Sequence, residues 1–244
     1  MRNISLVVAY DGTNYHGWQC QPNAITVEET LRSAVGRILD HAVKLYAGGR
    51  TDAGVHAMGQ VVNFFTPKSI GLEGLTRGIN SLLPVDVRVR DAAEVGEGFH
   101  ARYSAKSKIY VYTILNHTYN SPFLARYALH VPYDLDAGSM DTALRLILGA
   151  HDFSAFKKKD EHYRSTVREV RKVLVRRRGR VIYVAVEATG FLRYMVRNIV
   201  GTLLLVGQGK LCVDSFGEIF ESCEREKAGP TAPPHGLFLR KIFY

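Results

Sequence analysis

Cysteine is scarce in this chain: Cys20, Cys212 and Cys223 are the only three in 244 residues. They form no Cys-x-x-Cys pair and have no histidine at zinc-finger spacing, which argues against a disulfide scaffold or a structural zinc site. Long apolar runs are missing too. Nothing approaches the roughly 20 residues that a membrane-spanning helix needs. The apolar run at the start, Ile4 to Tyr10, is too short for the core of a signal peptide and passes straight into Asp11-Gly12. It is expected to be a first strand, and a cytoplasmic protein with no membrane partner is the expectation. Phosphate-binding signatures are absent as well: there is no Gly-x-x-x-x-Gly-Lys-Ser/Thr and no Gly-x-Gly-x-x-Gly after a strand.

What the chain does have is an ordinary globular balance, 46% hydrophobic and 23% charged, long enough to bury a substantial core in one large domain or two. Its net charge of +9 is unevenly placed. Met1 to Arg102 holds 10 basic and 10 acidic residues, whereas Tyr103 to Tyr244 holds 22 basic and 13 acidic. Within the second part, Lys157 to Arg180 concentrates 11 basic residues against three acidic ones. Two basic blocks around an expected strand suit a nucleic-acid backbone, where each neutralised phosphate releases a counterion. A solvated basic face is the alternative.

Hydrophobic period orders the elements. Ile4 to Tyr10 reads as a strand, and Thr26 to Leu39 as an amphipathic helix opened by the capping box Thr26-x-x-Glu29. Val43 to Ala47 and Gln60 to Phe65 read as strands around a glycine-rich segment, Leu72 to Leu83 as a helix, and Val85 to Val95 as a strand. The order is β-α-β-β-α-β. A second copy follows: strand Lys108 to Asn116, helix Met140 to Leu148, strands Val170 to Arg177 and Val181 to Glu187, helix Phe191 to Val206, and strand Leu237 to Phe243. The segments Thr118 to Ala137 and Glu224 to Gly236 read as ordered loops. The expected fold is therefore α+β, two fused ferredoxin-like halves with antiparallel or mixed sheets, residues 1–104 and 105–244, meeting at a central cleft.

Between the second and third strands lies Gly48-Gly49-Arg50-Thr51-Asp52-Ala53-Gly54-Val55-His56-Ala57. Glycine admits positive φ and close approach of a ligand, while Arg50, Asp52 and His56 are presented from the turn. On composition alone, a tight turn whose aspartate accepts backbone hydrogen bonds is the favoured description.

That run resembles the signature loop of the tRNA pseudouridine synthase A family. The similarity continues through Tyr10-Asp11-Gly12-Thr13, Tyr15-His16-Gly17-Trp18-Gln19, Phe99-His100-Ala101-Arg102 and Lys108-x-Tyr110-x-Tyr112. It extends through Gly149-Ala150-His151-Asp152-Phe153-Ser154-Ala155-Phe156, then Phe191-Leu192-x-x-Met195-Val196-Arg197-Asn198-Ile199-Val200-Gly201, and Ala232-Pro233-Pro234-x-Gly236-Leu237. The resemblance implies an isomerase that breaks the N-glycosidic bond of a uridine in the tRNA anticodon stem-loop, turns the base over and rejoins it through carbon. It implies a homodimer using neither metal nor organic cofactor. Its catalytic aspartate falls on Asp52, its stacking tyrosine on Tyr110, its basic partner of the aspartate on Arg197, and the arginine that holds the everted nucleotide on Arg50.

The residue types suit those roles. A carboxylate can add to an electrophilic carbon and leave again, as a reversible covalent step requires. A guanidinium about 4 Å away could offset the cost of desolvating that carboxylate by roughly 4 kcal/mol at an effective dielectric of 20. Base extrusion costs a few kcal/mol, and an aromatic face such as Tyr110 returns about 1 to 3 kcal/mol per base. By period two Tyr112 shares that face and is expected to be packed. Lys157, Lys158, Lys159 and Arg164 are candidate phosphate contacts. His56 is a candidate substrate contact and, with Gln60, is expected to shape the loop; Phe153 and Phe156 are expected to be core, and Cys20 carries no functional expectation. A non-catalytic RNA-binding module of the same fold and a hydrolytic N-glycosidase are the rival functions.

Overall fold

The computed structural model describes residues 1–244 and divides into two compact units, one of residues 1–106 with 238–244 and the other of residues 107–237. In the first unit the order is β1 (Arg2–Tyr10), α1 (Val27–Leu39), β2 (Tyr46–Ala47), β3 (His56–Thr66), α2 (Leu72–Leu82) and β4 (Val87–Val95). Strand β1 lies between β3 and β4, antiparallel to both, and β2 pairs antiparallel with β3. That is the ferredoxin-like arrangement the β-α-β-β-α-β order implies. The final strand, β10 (Leu237–Phe243), runs parallel to the start of β3, with Phe238 opposite His56 and Leu239 opposite Ala57. Its residues from Phe238 onward therefore belong to the first unit, although in sequence they close the second half.

Alternation explains the core of this unit. Ile4, Leu6, Val8 and Tyr10 are buried on one face of β1, as are Leu31, Val35 and Leu39 of α1 and Leu75 and Ile79 of α2. The opposite face buries polar residues that tether a loop. Asn3 Nδ2 donates to the carbonyls of Gly96 and Phe99, Asn63 Nδ2 donates to Asn3 Oδ1, and Asn63 Oδ1 accepts from the Ala101 N–H. Helix α1 begins where the sequence marks it, with the Thr26 hydroxyl accepting from the Glu29 N–H. The Glu29 carboxylate turns outward to Arg32, 3.6 Å away.

The second unit holds β5 (Ser107–Asn116), β6 (Leu129–Val131), α3 (Ala137–Arg145), β7 (Gly149–Asp152), a single 3₁₀ turn (Ser154–Phe156), β8 (Val167–Arg178), β9 (Val181–Ala188), α4 (Met195–Gly207) and α5 (Val213–Glu221). Its sheet runs β5-β9-β8-β7, all antiparallel, with β6 parallel to β5. Strands β6 and β7 and helix α5 extend the expected order. Helix α5 buries Phe216 and Phe220 against Phe153 and Phe156, with ring centroids 5.1 to 5.8 Å apart.

Some boundaries differ from expectation for local reasons. Helix α3 starts three residues early because the Asp136 carboxylate caps the N–H groups of Gly138 and Ser139. Helix α4 starts at Met195 rather than Phe191 because Tyr194 sits in the left-handed region, φ 66°. Only Tyr46 and Ala47 of the expected strand Val43 to Ala47 pair as a strand. No helix is long and apolar enough to cross a membrane.

Candidate active site

The Asp52 loop leaves the sheet from a fixed point. After Ala47, the Gly48 N–H donates to the Val61 carbonyl at 2.7 Å. The Gln60 side chain then takes over as the next rung, accepting from the Gly49 N–H and donating to the Gly49 carbonyl. Arg50 is exposed, Thr51 buried and Asp52 half-buried. The turn closes through the Val55 N–H, which donates to the Asp52 carbonyl at 3.1 Å. Of the glycines at 48, 49, 54 and 59, Gly54 alone takes positive φ, at 73°.

The segment after β1 is the scaffold of this turn. The Tyr10 hydroxyl is 2.8 Å from Thr51 Oγ1. The Trp18 N–H donates to the Thr51 carbonyl at 3.0 Å, and the Gly54 N–H to the Tyr15 carbonyl at 3.2 Å. A Cβ on Gly12 would lie 2.1 Å from the Val55 carbonyl oxygen, and one on Gly17, itself at φ 91°, 2.7 Å from the Thr51 carbonyl oxygen. The two N-terminal motifs are thus the wall against which the aspartate turn is pressed. Burial pushes the Tyr10 hydroxyl up to about 12, against the lowering effect of its bonds to Thr51 and Gln60. Burial likewise raises the Tyr15 hydroxyl, which donates to Asp86 Oδ1 at 2.7 Å.

His56 follows the turn and is fully buried. Its ring stacks on Phe238 with centroids 4.6 Å apart. Its Nδ1 accepts from the Gly12 N–H at 3.0 Å and lies 3.1 Å from Asp11 Oδ1. This geometry makes His56 a brace between the turn and the Asp11-Gly12 corner.

The second unit contains the other residues singled out above. Tyr110 is 8% exposed and meets Phe191 edge to face, centroids 4.9 Å apart. Tyr112 is fully buried, donates its hydroxyl proton to the Pro233 carbonyl, and has its ring against Gly236. Burial drives its hydroxyl pKa upward, and Arg197 acts in the opposite direction. Arg197 Nε donates to the Ala232 carbonyl at 2.7 Å, and the Arg197 carbonyl accepts from the Ala232 N–H at 3.1 Å. The helix that carries it touches a loop here: a Cβ on Gly201 would stand 1.7 Å from the Pro230 oxygen.

A family model described as tRNA pseudouridine synthase matches residues 6–104 and 143–244. The chain belongs to that family. It is 48% identical over 244 residues, all of both chains, to tRNA pseudouridine synthase A of Thermoanaerobacter sp. (strain X514). It is 43% identical, again over the whole of both chains, to the protein of the same name from Acetivibrio thermocellus. Identity to the one from Geobacter sulfurreducens is 43% over 242 residues, 99% of each chain. The chain is thus an isomerase, a tRNA pseudouridine synthase.

The basic segment of this pseudouridine synthase is heterogeneous. Lys157 Nζ donates to the Glu161 carbonyl, and Lys159 pairs with Glu226 at 3.1 Å. Lys158 Nζ stands over the Tyr194 ring, and Arg164 is exposed. On β8, Arg171, Lys172, Arg176, Arg177 and Arg178 are all exposed, and Arg177 also bonds to Asn116 Oδ1 and the Leu135 carbonyl. The three cysteines are free thiols at exposed positions.

Sequence reasoning overlooked Asn198, which is fully buried and binds the segments on either side of α4. Its Nδ2 donates to the carbonyls of Phe156 and Lys157, and its Oδ1 accepts from Arg225 and Thr231. An amide among the apolar residues Val196, Ile199 and Val200 was the available signal.

Proposed function

We propose that this synthase converts uridine to pseudouridine in the anticodon stem-loop of tRNA with the Asp52 carboxylate as nucleophile. The reading is supported by one observation above all: the turn bearing Asp52 is fixed on both sides, through Thr51 to Tyr10 and Trp18 and through Val55 and His56 to Gly12. A nucleophile that must add to carbon and leave again gains most from such preorganisation. In the overall change the N1–C1′ bond breaks and a C5–C1′ bond forms. The C5 proton departs and N1 ends protonated, so no external reactant is consumed.

In this reading Arg197 keeps the carboxylate ionised, Tyr110 supplies a face for the everted base, and Arg50 holds the nucleotide. Lys158, Lys159, Arg164 and the exposed arginines of β8 meet phosphate, while Lys157 and His56 brace their own loops. The protein acts in the cytoplasm as a homodimer.

The test is single-turnover pseudouridine formation on anticodon-arm RNA by Asp52→Asn and Asp52→Ala, with tRNA binding measured in parallel. Both variants should be inactive and bind tRNA within about threefold of wild type, a difference of only ~0.7 kcal/mol. Turnover by either above a contamination control refutes the nucleophile assignment. Mapping pseudouridine in tRNA from cells with and without the gene tests the stem-loop assignment.

A further inference from the structure

We propose that Tyr194 is a positioning residue for this reaction, its ring orienting the Arg197 guanidinium. The inference rests on the role assigned to Arg197 above. Tyr194 is the residue before α4 and lies in the left-handed region, φ 66° and ψ −1°, with no side-chain cap bond. A residue with a Cβ adopts that conformation only when its surroundings hold it there. What the conformation achieves is a ring bordered by three cations. Arg197 Cζ is 4.6 Å from its centroid, Arg193 Cζ 5.5 Å and Lys158 Nζ 5.9 Å.

Arg197 lies in the first turn of α4, and its guanidinium stands over the ring of the residue that precedes the helix. Its guanidinium is held at Nε by the Ala232 carbonyl and on its face by the ring. An edge contact and a face contact together constrain both the plane and the direction of the fork. The other two cations are anchored through their backbones. The Lys158 N–H donates to the Arg193 carbonyl at 2.8 Å, and the Arg193 N–H donates to the Tyr163 hydroxyl at 2.8 Å. Glu161, 3.6 Å from Arg193 Nη1, faces the group as a carboxylate. Three positive charges around one ring repel each other, and the negative face of the ring offsets part of that repulsion.

The experiment compares kcat, KM for tRNA and thermal stability across Tyr194→Phe, Tyr194→Asn and Tyr194→Gly, each alone and with Arg197→Ala. Phenylalanine keeps the ring and should keep kcat. Asparagine and glycine both tolerate positive φ, so the fold is retained while the ring is lost. For these two, kcat should fall roughly tenfold, within the range that cation–π contacts supply, with KM changed less than about threefold. In the Arg197→Ala background neither should lower kcat further. If Arg197→Ala itself leaves kcat unchanged, the role of Arg197 is wrong and the inference falls with it. If Arg197→Ala is damaging yet the asparagine and glycine variants keep wild-type kcat, or lose the same factor in both backgrounds, only the Tyr194 role is wrong. A phenylalanine variant as impaired as asparagine also overturns it.

Discussion

Gln60 grips the Gly49 peptide at both ends, accepting from its N–H at 3.2 Å and donating to its carbonyl at 2.7 Å. The backbones of β2 and β3 have parted there, and a buried side chain supplies the rung that the sheet no longer can. That rung fixes one end of the turn and the Gly12 contact with His56 the other, with Tyr10, Trp18 and Tyr15 holding the residues between.

Replacing Gln60 with leucine keeps the volume and strands two backbone groups. Each unpaired group should cost about 1 to 3 kcal/mol, and a protein of this size loses about 2 to 4 °C of Tm per kcal/mol. The loop is also released, so kcat should drop by about 10²-fold, as a misplacement of ~1 Å can produce, with tRNA affinity little changed. Differential scanning calorimetry and single-turnover kinetics check the two effects. A lowered Tm with wild-type kcat would mean that the rung stabilises the sheet without placing the loop.

The Tyr10 hydroxyl gives a pH signature. Its pKa is raised by burial to about 12, from 10.0. The folded protein therefore holds that proton more tightly than the unfolded chain. The corresponding stability is fully present below pH 10 and is lost as pH rises through 12, at about 1.4 kcal/mol per unit. Tyr15, Tyr112 and Tyr244 are raised in the same direction, so wild-type Tm should fall steeply in that window. Tyr10→Phe should be less stable at pH 8, where the Thr51 bond is missing, and should lose less than wild type between pH 10 and 12. Parallel Tm curves across that window would contradict the assignment.

Gly201 has no room for a methyl group. Alanine there would drive Cβ to within 1.7 Å of the Pro230 oxygen, and the loop that yields includes Ala232, the acceptor for Arg197 Nε. Gly201→Ala should cost on the order of 3 kcal/mol or more, the upper end for overpacking, and impair kcat beyond what Tm alone accounts for. Gly74→Ala, whose nearest atom would be 3.9 Å away on a side chain, is the control and should be neutral or slightly stabilising. Equal effects of the two substitutions would show that the close contact is not restrictive.

Legibility followed locality. Helix α1 was readable because Thr26 and the apolar positions from Val27 to Leu39 lie within one window, β9 because its alternation is unbroken, and β1 and β5 because they are short apolar runs rich in Ile, Val and Tyr. The start of α4 was not, since nothing in the residue type of Tyr194 marks it for the left-handed region. Helix α5 was missed because Phe216 and Phe220 complete a cluster with Phe153 and Phe156, some 60 residues earlier. In the candidate site, the residue types of the Asp52 turn were legible. Gln60 and His56 could be expected to shape it, but their partners could not be named, and the supports from Tyr10 and Gly12 were not legible, because spacing cannot show that the Tyr10 hydroxyl will meet Thr51 Oγ1 or that Gln60 will hold Gly49.

Neighbouring arginines on β8 should separate two kinds of basic residue. All three of Arg176, Arg177 and Arg178 are exposed, but Arg177 also ties Asn116 Oδ1 to the Leu135 carbonyl, and Asn116 in turn donates to the carbonyls of Val131 and Tyr133. If the strand meets RNA phosphate, Arg176→Ala or Arg178→Ala should each weaken tRNA binding and flatten the slope of log K against log salt by about 0.7 to 0.9, leaving Tm unchanged. Arg177→Ala should do the reverse, lowering Tm by several degrees as the bonds to two segments are lost, with the salt slope intact. Filter binding from 50 to 300 mM salt and thermal melts distinguish them. Identical slopes for wild type and the Arg176 and Arg178 variants would remove β8 from the RNA-binding face and confine it to keeping the sheet edge solvated.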